Sequence, residues 1–211
     1  VRVEDLGIKN SDGKQVVDHV SFTLRAGEVL GIAGVEGNGQ GEIISALTGM
    51  SGYTEGKIEV NGEEIKGHSV KDIRNLKLSY IPEDRMTTGV AAHLSIIENM
   101  ISDKLDSKGF FKNGLLKKNA LNEYGENKVK EYQVDCKTPG VPIGSLSGGN
   151  IQKVVLAREL SSDPKVIVAE QPCRGVDVGA IEFIRKRLLE MRDAGSGILL
   201  VSSDLNEILG L

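Results

Sequence analysis

Apolar and polar residues alternate over Val1–Leu6 and again over Val20–Leu24, which predicts two strands. Ser11-Asp12-Gly13-Lys14 reads as the turn between them, and Ala26-Gly27-Glu28 as another. The run Val29-Leu30-Gly31-Ile32-Ala33 predicts a third strand, and Ile43, Ile44 and Leu47 then recur at helical spacing. Lys57–Val60 and Glu64-Ile65 flank Asn61-Gly62, the pair that a tight hairpin turn favours. Leu78–Ile81 is a short apolar strand stopped by Pro82.

From Leu94 to Val134 the pattern turns helical, with Ile96, Ile97, Met100, Ile101, Leu105, Leu115, Leu116 and Leu121 among lysines and acids. Gly109 and Gly114 interrupt it, so several helices are expected rather than one. A polar linker with Pro139 and Pro142 follows, and Ser147-Gly148-Gly149-Asn150 opens a helix through Ile151, Val154, Val155 and Leu160. Val166–Ala169 is apolar without a break, which suits a parallel strand covered on both faces. Ala180–Asp193 is an amphipathic helix with Ile181, Ile184, Leu188 and Met191 on one face, capped by Gly195. Ile198–Val201 is the last buried strand. The whole predicts an α/β sheet, with an antiparallel layer before it and a helical insert within it.

Composition narrows the function. The chain has 211 residues, of which 39% are hydrophobic, enough for a sizeable core, while only 4% are aromatic, which leaves few stacking platforms. A net charge of −4 argues against non-specific binding to nucleic acid or to an anionic membrane. No apolar run approaches the roughly 20 residues of a membrane span. Val1 lies inside an apparent strand with no signal peptide before it, so a piece of a longer cytoplasmic protein is expected. Cys136 and Cys173 match no metal spacing and read as free thiols. His19, His68 and His93 are scattered and read as surface or turn residues without a ligand-like neighbour, and Arg185-Lys186-Arg187 as a solvated helix face.

The candidate chemistry centres on Gly34-Val35-Glu36-Gly37-Asn38-Gly39-Gln40-Gly41, between the third strand and a helix. Backbone N–H groups of such a loop and the helix N-terminus face an anion. The glycines have the spacing of the phosphate loop Gly-x-x-x-x-Gly-Lys-Ser/Thr, but Gln40 holds the lysine position and Gly41 the hydroxyl position.

Leu146-Ser147-Gly148-Gly149-Asn150 is close to the Leu-Ser-Gly-Gly-Gln signature of ABC-type ATPases and precedes a buried strand, as in that family. Glu170-Gln171-Pro172-Cys173-Arg174-Gly175-Val176-Asp177 resembles the Asp-Glu-Pro-Thr-Arg-Gly-Val-Asp of sugar-importer ATPases, which covers their Walker B strand and D-loop. Tyr80-Ile81-Pro82-Glu83-Asp84-Arg85 looks like their Q-loop region; Asp84-Arg85 reads equally as a surface ion pair or as part of that loop. The phosphate loop resembles the second ATPase half of tandem proteins that serve simple-sugar and nucleoside importers, and Gln171-Pro172 looks most like the nucleoside branch. The resemblance covers essentially the whole chain.

It implies a P-loop NTPase (RecA-like) α/β core with an N-terminal antiparallel β layer and an inserted helical sub-domain. Residues 1–93 would carry the β layer and phosphate loop, 94–160 the helical sub-domain ending in the signature, and 161–211 the Walker B part, together one domain. ATP and Mg²⁺ are the implied cofactors. The implied partners are a second ABC ATPase domain in the same polypeptide and transmembrane permease subunits, with no nucleic acid. The implied location is peripheral, on the cytoplasmic face of the cell membrane.

In that family two nucleotides lie between two ATPase domains, each site combining one domain's phosphate loop with the other's signature. For the site on this chain's own loop, the resemblance implies cofactor contacts from Gly34, Glu36, Gly37, Asn38, Gly39, Gln40, Gly41 and Glu42. Glu170 stands at the Walker B aspartate position and is the candidate Mg²⁺ ligand. Gln171 stands at the catalytic-glutamate position and Ser203 at that of the switch histidine, so neither is expected to be catalytically competent. Glu83 replaces the Q-loop glutamine and brings a negative charge toward the phosphates. For the partner's site, Ser147, Gly148, Gly149, Asn150 and Asp177 retain the family pattern apart from the shorter Asn150. The expected role is a degenerate half that completes a partner's ATP site and couples to membrane subunits. The alternative is a dimerisation or regulatory domain that binds no nucleotide.

Overall fold

A computed structural model describes residues 1–104, 109–112 and 115–211. The chain begins with β1 (Arg2–Lys9), β2 (Gln15–Thr23), β3 (Val29–Ala33), α1 (Gln40–Thr48), β4 (Glu55–Val60), β5 (Glu63–Glu64), α2 (Val70–Asn75) and β6 (Leu78–Ile81). Next come α3 (Ile96–Ile101), β7 (Phe111–Lys112), β8 (Leu115–Leu116), α4 (Lys118–Glu131) and α5 (Gly148–Leu160). The last elements are β9 (Val166–Glu170), α6 (Val178–Asp193), β10 (Gly197–Ser202) and α7 (Leu205–Leu209). They group into two units: residues 1–80, 163–171 and 185–211 form one, and residues 81–162 and 172–184 the other.

The first unit holds two sheets. One is antiparallel, in the order β2-β1-β4-β5; the other has the order β3-β10-β9-β6, with β10 parallel to both β3 and β9. Val166–Ala169 and all of β10 are buried, as an unbroken apolar run requires. Leu6 and Ile58 of the antiparallel sheet, Ile44 and Leu47 of α1, and Val168 and Leu199 of the parallel strands share one core. The Asn61-Gly62 hairpin forms as read: Val60 faces Glu63, and both turn residues have positive φ, 50° and 84°. At Gly31 an added Cβ would meet Ile208 Cγ2 at 2.7 Å, which is how closely α7 lies on β3.

In the second unit α3 packs against α4 and α5, and α5 is buried on nearly every side through Ile151, Val154, Val155, Leu156 and Leu160. The helical reading of 94–134 holds for α3 and α4 but not at Leu115 and Leu116. These form β8, paired antiparallel with β7. An isolated apolar pair fits either period, and pairing with Phe111-Lys112 decides it. Leu105 and Gly114 lie outside the described residues.

Two surface readings need correction. His19 Nδ1 lies 2.8 Å from the Asp5 carboxylate and His68 Nε2 lies 3.0 Å from Glu63, so two of the three histidines do have a carboxylate neighbour. The basic run on α6 is not simply solvated, since Arg185 donates to Asn206 O at 3.3 Å and Arg187 to Glu190 at 2.9 Å. Cys136 and Cys173 are free thiols. Among the described residues no helix is long and apolar enough to cross a membrane.

Candidate functional site

The residues singled out in the sequence fall into two assemblies, one in each unit. The first starts at the loop between β3 and α1. Gly39 has φ 94°, and a Cβ there would meet Val16 O at 2.6 Å, so this corner of the loop accepts only glycine. The Gln40 side chain folds back across the loop: Oε1 accepts from Asn38 N and Nε2 donates to Val35 O, both at 3.1 Å. A Cβ on Gly34 would clash with this Nε2. Asn38 Nδ2 also donates to Val35 O, at 3.1 Å. One N–H of the cradle is thus engaged by the chain's own amide. Glu42 is the acid in the first turn of α1, where the helix N-terminus favours it, and Gly41 contributes no side chain.

Gln171, the first residue after β9, has φ 42°, an uncommon value for a residue other than glycine. Its backbone N donates to Val201 O at 2.8 Å. Its Nε2 donates to Glu36 Oε1 at 3.2 Å, and its Oε1 accepts from Ser203 Oγ at 3.0 Å. Only the nitrogen end of an amide can face a carboxylate, so Glu36 fixes the orientation. Ser203 is placed by the turn beneath it, where buried Ser202 Oγ donates to Glu207 at 2.6 Å and accepts from Asp204 N at 3.0 Å.

Glu170 is engaged as well: its Oε2 accepts from the Tyr80 hydroxyl at 2.5 Å. Burial first, then that hydrogen bond and the charge of Glu170, push the Tyr80 hydroxyl far above the usual range, so it stays protonated and donates. Among the described residues no group of three or more His, Cys, Asp or Glu side chains could hold a metal ion. The assembly therefore offers glycine N–H groups and a helix N-terminus to an anion. At position 171 it presents an amide, which accepts no proton, and at position 170 a carboxylate with one oxygen on tyrosine.

The second assembly is built on the N-terminus of α5. Ser147 is its N-cap, and Ser147 Oγ accepts from Asn150 N at 3.4 Å and Asn150 Nδ2 at 3.0 Å. These bonds use the acceptor lone pairs of the hydroxyl and not its proton. Asn150 Oδ1 accepts from Asp135 N at 2.8 Å, so the shortened side chain still anchors the helix start. Gly148 and Gly149 carry the first free N–H groups at the positive end of this 13-residue helix. Gly149 lies against Asp177, and Asp177 Oδ1 accepts from Ala180 N at 3.0 Å at the start of α6.

Glu83 does not carry a bare charge, because it is ion-paired with Arg174 of the same unit. Asp84 caps the turn Arg85–Gly89, accepting from Met86 N at 2.9 Å and Thr87 N at 3.0 Å. Arg85 donates to Arg174 O at 2.8 Å and Gly175 O at 2.9 Å. Those contacts take Asp84 and Arg85 beyond a plain surface ion pair. Glu83, Asp84, Arg85, Met86, Arg174 and Gly175 line a cleft of about 380 Å³.

The sequence pattern singled out the glycines, Gln171, Ser203 and the signature, but not the contacts of Tyr80, Arg85 and Arg174. Their partners lie about ninety residues away, where no local pattern points.

The family model for ABC transporters matches residues 17–174, from β2 through the segment after β9. The chain belongs to the ABC transporter family. It is 36% identical to the nucleoside import ATP-binding protein NupA of Lactococcus lactis, over 100% of this chain and 42% of that one. It is 37% identical to the guanosine import ATP-binding protein NupO of Bacillus subtilis, over 99% of this chain and 41% of that one. The glucose import ATP-binding protein TsgD13 of Haloferax volcanii is 38% identical, over 100% and 39%. The chain thus spans about two fifths of the length of the curated relatives it matches. Among solved structures, the dimeric ABC cassette MJ0796 superposes with a TM-score of 0.81 at 18% identity, over 98% of this chain and 89% of that one. A nucleotide-free ABC cassette gives 0.80 at 21%, over 99% and 83%. The α/β ABC ATPase fold read from the sequence is therefore the fold of this chain.

Proposed function

We propose that this chain is an ATP-binding domain of an importer for simple sugars or nucleosides, and the degenerate member of a pair of such domains. Its contribution is the signature Ser147–Asn150, offered to the ATP held on a partner's phosphate loop. More than half of each relative lies outside the match, which leaves room for that partner in one polypeptide. The membrane component would be a permease, with this chain peripheral on its cytoplasmic face.

One contrast supports this reading. Around the chain's own phosphate loop the polar side chains are turned on one another: Gln40 on the loop, Gln171 between Glu36 and Ser203, Glu170 on Tyr80. At α5, by comparison, the Ser147 hydroxyl proton and the N–H groups of Gly148 and Gly149 have no such side-chain partner among the described residues.

At its own loop the chain would hold the phosphates of ATP by the N–H groups of Gly37–Gly41, after Gln40 yields Asn38 N. Without the family's lysine, binding loses charge-assisted bonds that are about twice as strong as neutral ones. Mg²⁺ would depend on the nucleotide and on the remaining oxygen of Glu170, since Gly41 has no hydroxyl. Gln171 cannot take the proton of an attacking water, a contribution of roughly 10²–10⁴-fold. The nucleotide-free alternative gains nothing from the relatives, each of which is an import ATP-binding protein by description.

Calorimetry of the chain with ATP, with and without Mg²⁺, tests the proposal. Binding with Kd on the order of 0.1–1 mM and no turnover is expected. Turnover by the chain alone at ordinary enzymatic rates would overturn it.

A further inference from the structure

We infer that Arg85 is the positioning residue of the signature, a bracket that holds Gly148 and Gly149 against the segment carrying Asp177. The inference rests on the proposed role of the signature and concerns residues of the second unit only.

The guanidinium donates through Nη1 to Arg174 O at 2.8 Å and through Nη2 to Gly175 O at 2.9 Å. Two successive carbonyls are met by the two prongs of one planar fork, which lysine cannot reproduce. The same Nη2 lies against the signature: a Cβ added at Gly148 would meet it at 2.8 Å. One side chain therefore touches both the loop after β9 and the first residue of α5. Next to it Gly149 presses on Asp177, where an added Cβ would come within 2.7 Å of Oδ2. Gln152 of α5 holds the near end of the same loop, its Nε2 donating to Pro172 O at 3.0 Å.

Arg85 is itself held firmly. Asp84 caps its turn by accepting from Met86 N, Thr87 N and Thr87 Oγ1, and Gly89 closes the turn close over Pro82 and Arg85. A fixed cation at the positive end of α5 is unfavourable by itself. Two carbonyls offset it, and an anion arriving at Gly148 would be attracted by the guanidinium and the helix end together. The bracket thus aims the N–H groups of Gly148 and Gly149 and biases them toward an anion.

The test uses the complete ATP-binding protein that carries this chain, with ATP turnover as the first readout. Arg85→Ala should lower kcat on the order of 10–100-fold, the cost of small misplacements, with KM for ATP little changed. Arg85→Lys should show the same loss, and free guanidinium ion should restore Arg85→Ala but not Ser147→Arg. In the isolated chain, amide exchange at Gly148–Asn150 should quicken in Arg85→Ala while the unfolding midpoint stays near wild type. Wild-type turnover in Arg85→Ala or Arg85→Lys, with Ser147→Arg inactive, would overturn the bracket and leave the functional reading standing. If Ser147→Arg also kept full turnover, the functional reading would fail. Amide exchange would then decide alone, unchanged protection overturning the bracket and faster exchange upholding it.

Discussion

Gln171 Nε2 donates to the Glu36 carboxylate at 3.2 Å, and this contact decides that the oxygen end of the amide faces Ser203. The amide at position 171 thereby satisfies both neighbours, donating to one and accepting from the other. A carboxylate at position 171 would meet Glu36 as a like charge, and its pKa would rise above the roughly 4.3 of an unfolded glutamate.

That gives the first prediction. A group whose folded pKa is raised binds its proton more tightly in the folded state, so its penalty grows as pH rises through that value. Gln171→Glu should match wild type near pH 4 and lose about 1 kcal/mol by pH 7.5, a modest figure because Glu36 is exposed. Adding Glu36→Gln should abolish this pH dependence. Urea denaturation at several pH values measures it, and equal stability throughout would mean that Gln171 does not face Glu36.

Gln40 crosses the phosphate loop between Val35 O and Asn38 N. Replacing it by lysine frees Asn38 N and adds a charge for phosphate. Gln40→Lys should tighten ATP binding about tenfold, equivalent to about 1.4 kcal/mol, without turnover, because Gln171 remains. Unchanged affinity by calorimetry would show that the crossing amide does not limit binding.

Tyr80→Phe removes the donor to Glu170 and leaves a part-buried carboxylate short of a partner. A loss of about 1–2 kcal/mol in chemical denaturation is expected at neutral pH. Because the folded Tyr80 pKa is raised, its contribution is complete below about pH 10, the unfolded value, and is lost as pH rises further. Wild type should therefore lose an increment of stability above pH 10 that Tyr80→Phe lacks. The freed oxygen of Glu170 should also make ATP binding more dependent on Mg²⁺.

What the sequence displayed was mostly local. The turn glycines around Gly39, the cap at Ser147 and the buried run Val166–Ala169 each follow from a few neighbouring residues, and each is where the pattern put it. The chain's membership of its family was likewise legible in short motifs. Side-chain pairings were not. Arg85 meets carbonyls 89 and 90 residues away, and Gln171 meets Glu36 across 135 residues. No periodicity carries such a contact; it exists only once sheets and helices have assembled. Leu115-Leu116 failed for another reason, since two adjacent leucines carry no period and their strand partner decided them.

The sharpest test compares Ser147→Arg with Gln171→Ala in the complete ATP-binding protein, by steady-state ATP turnover. If this chain works by lending its signature, Ser147→Arg should cut kcat on the order of 100-fold or more, as expected when transition-state contacts are lost. Gln171→Ala should change it by no more than about 3-fold, since no base is removed. The reverse pattern, with turnover surviving Ser147→Arg and collapsing in Gln171→Ala, would place the chemistry on this chain's own phosphate loop and contradict the assignment.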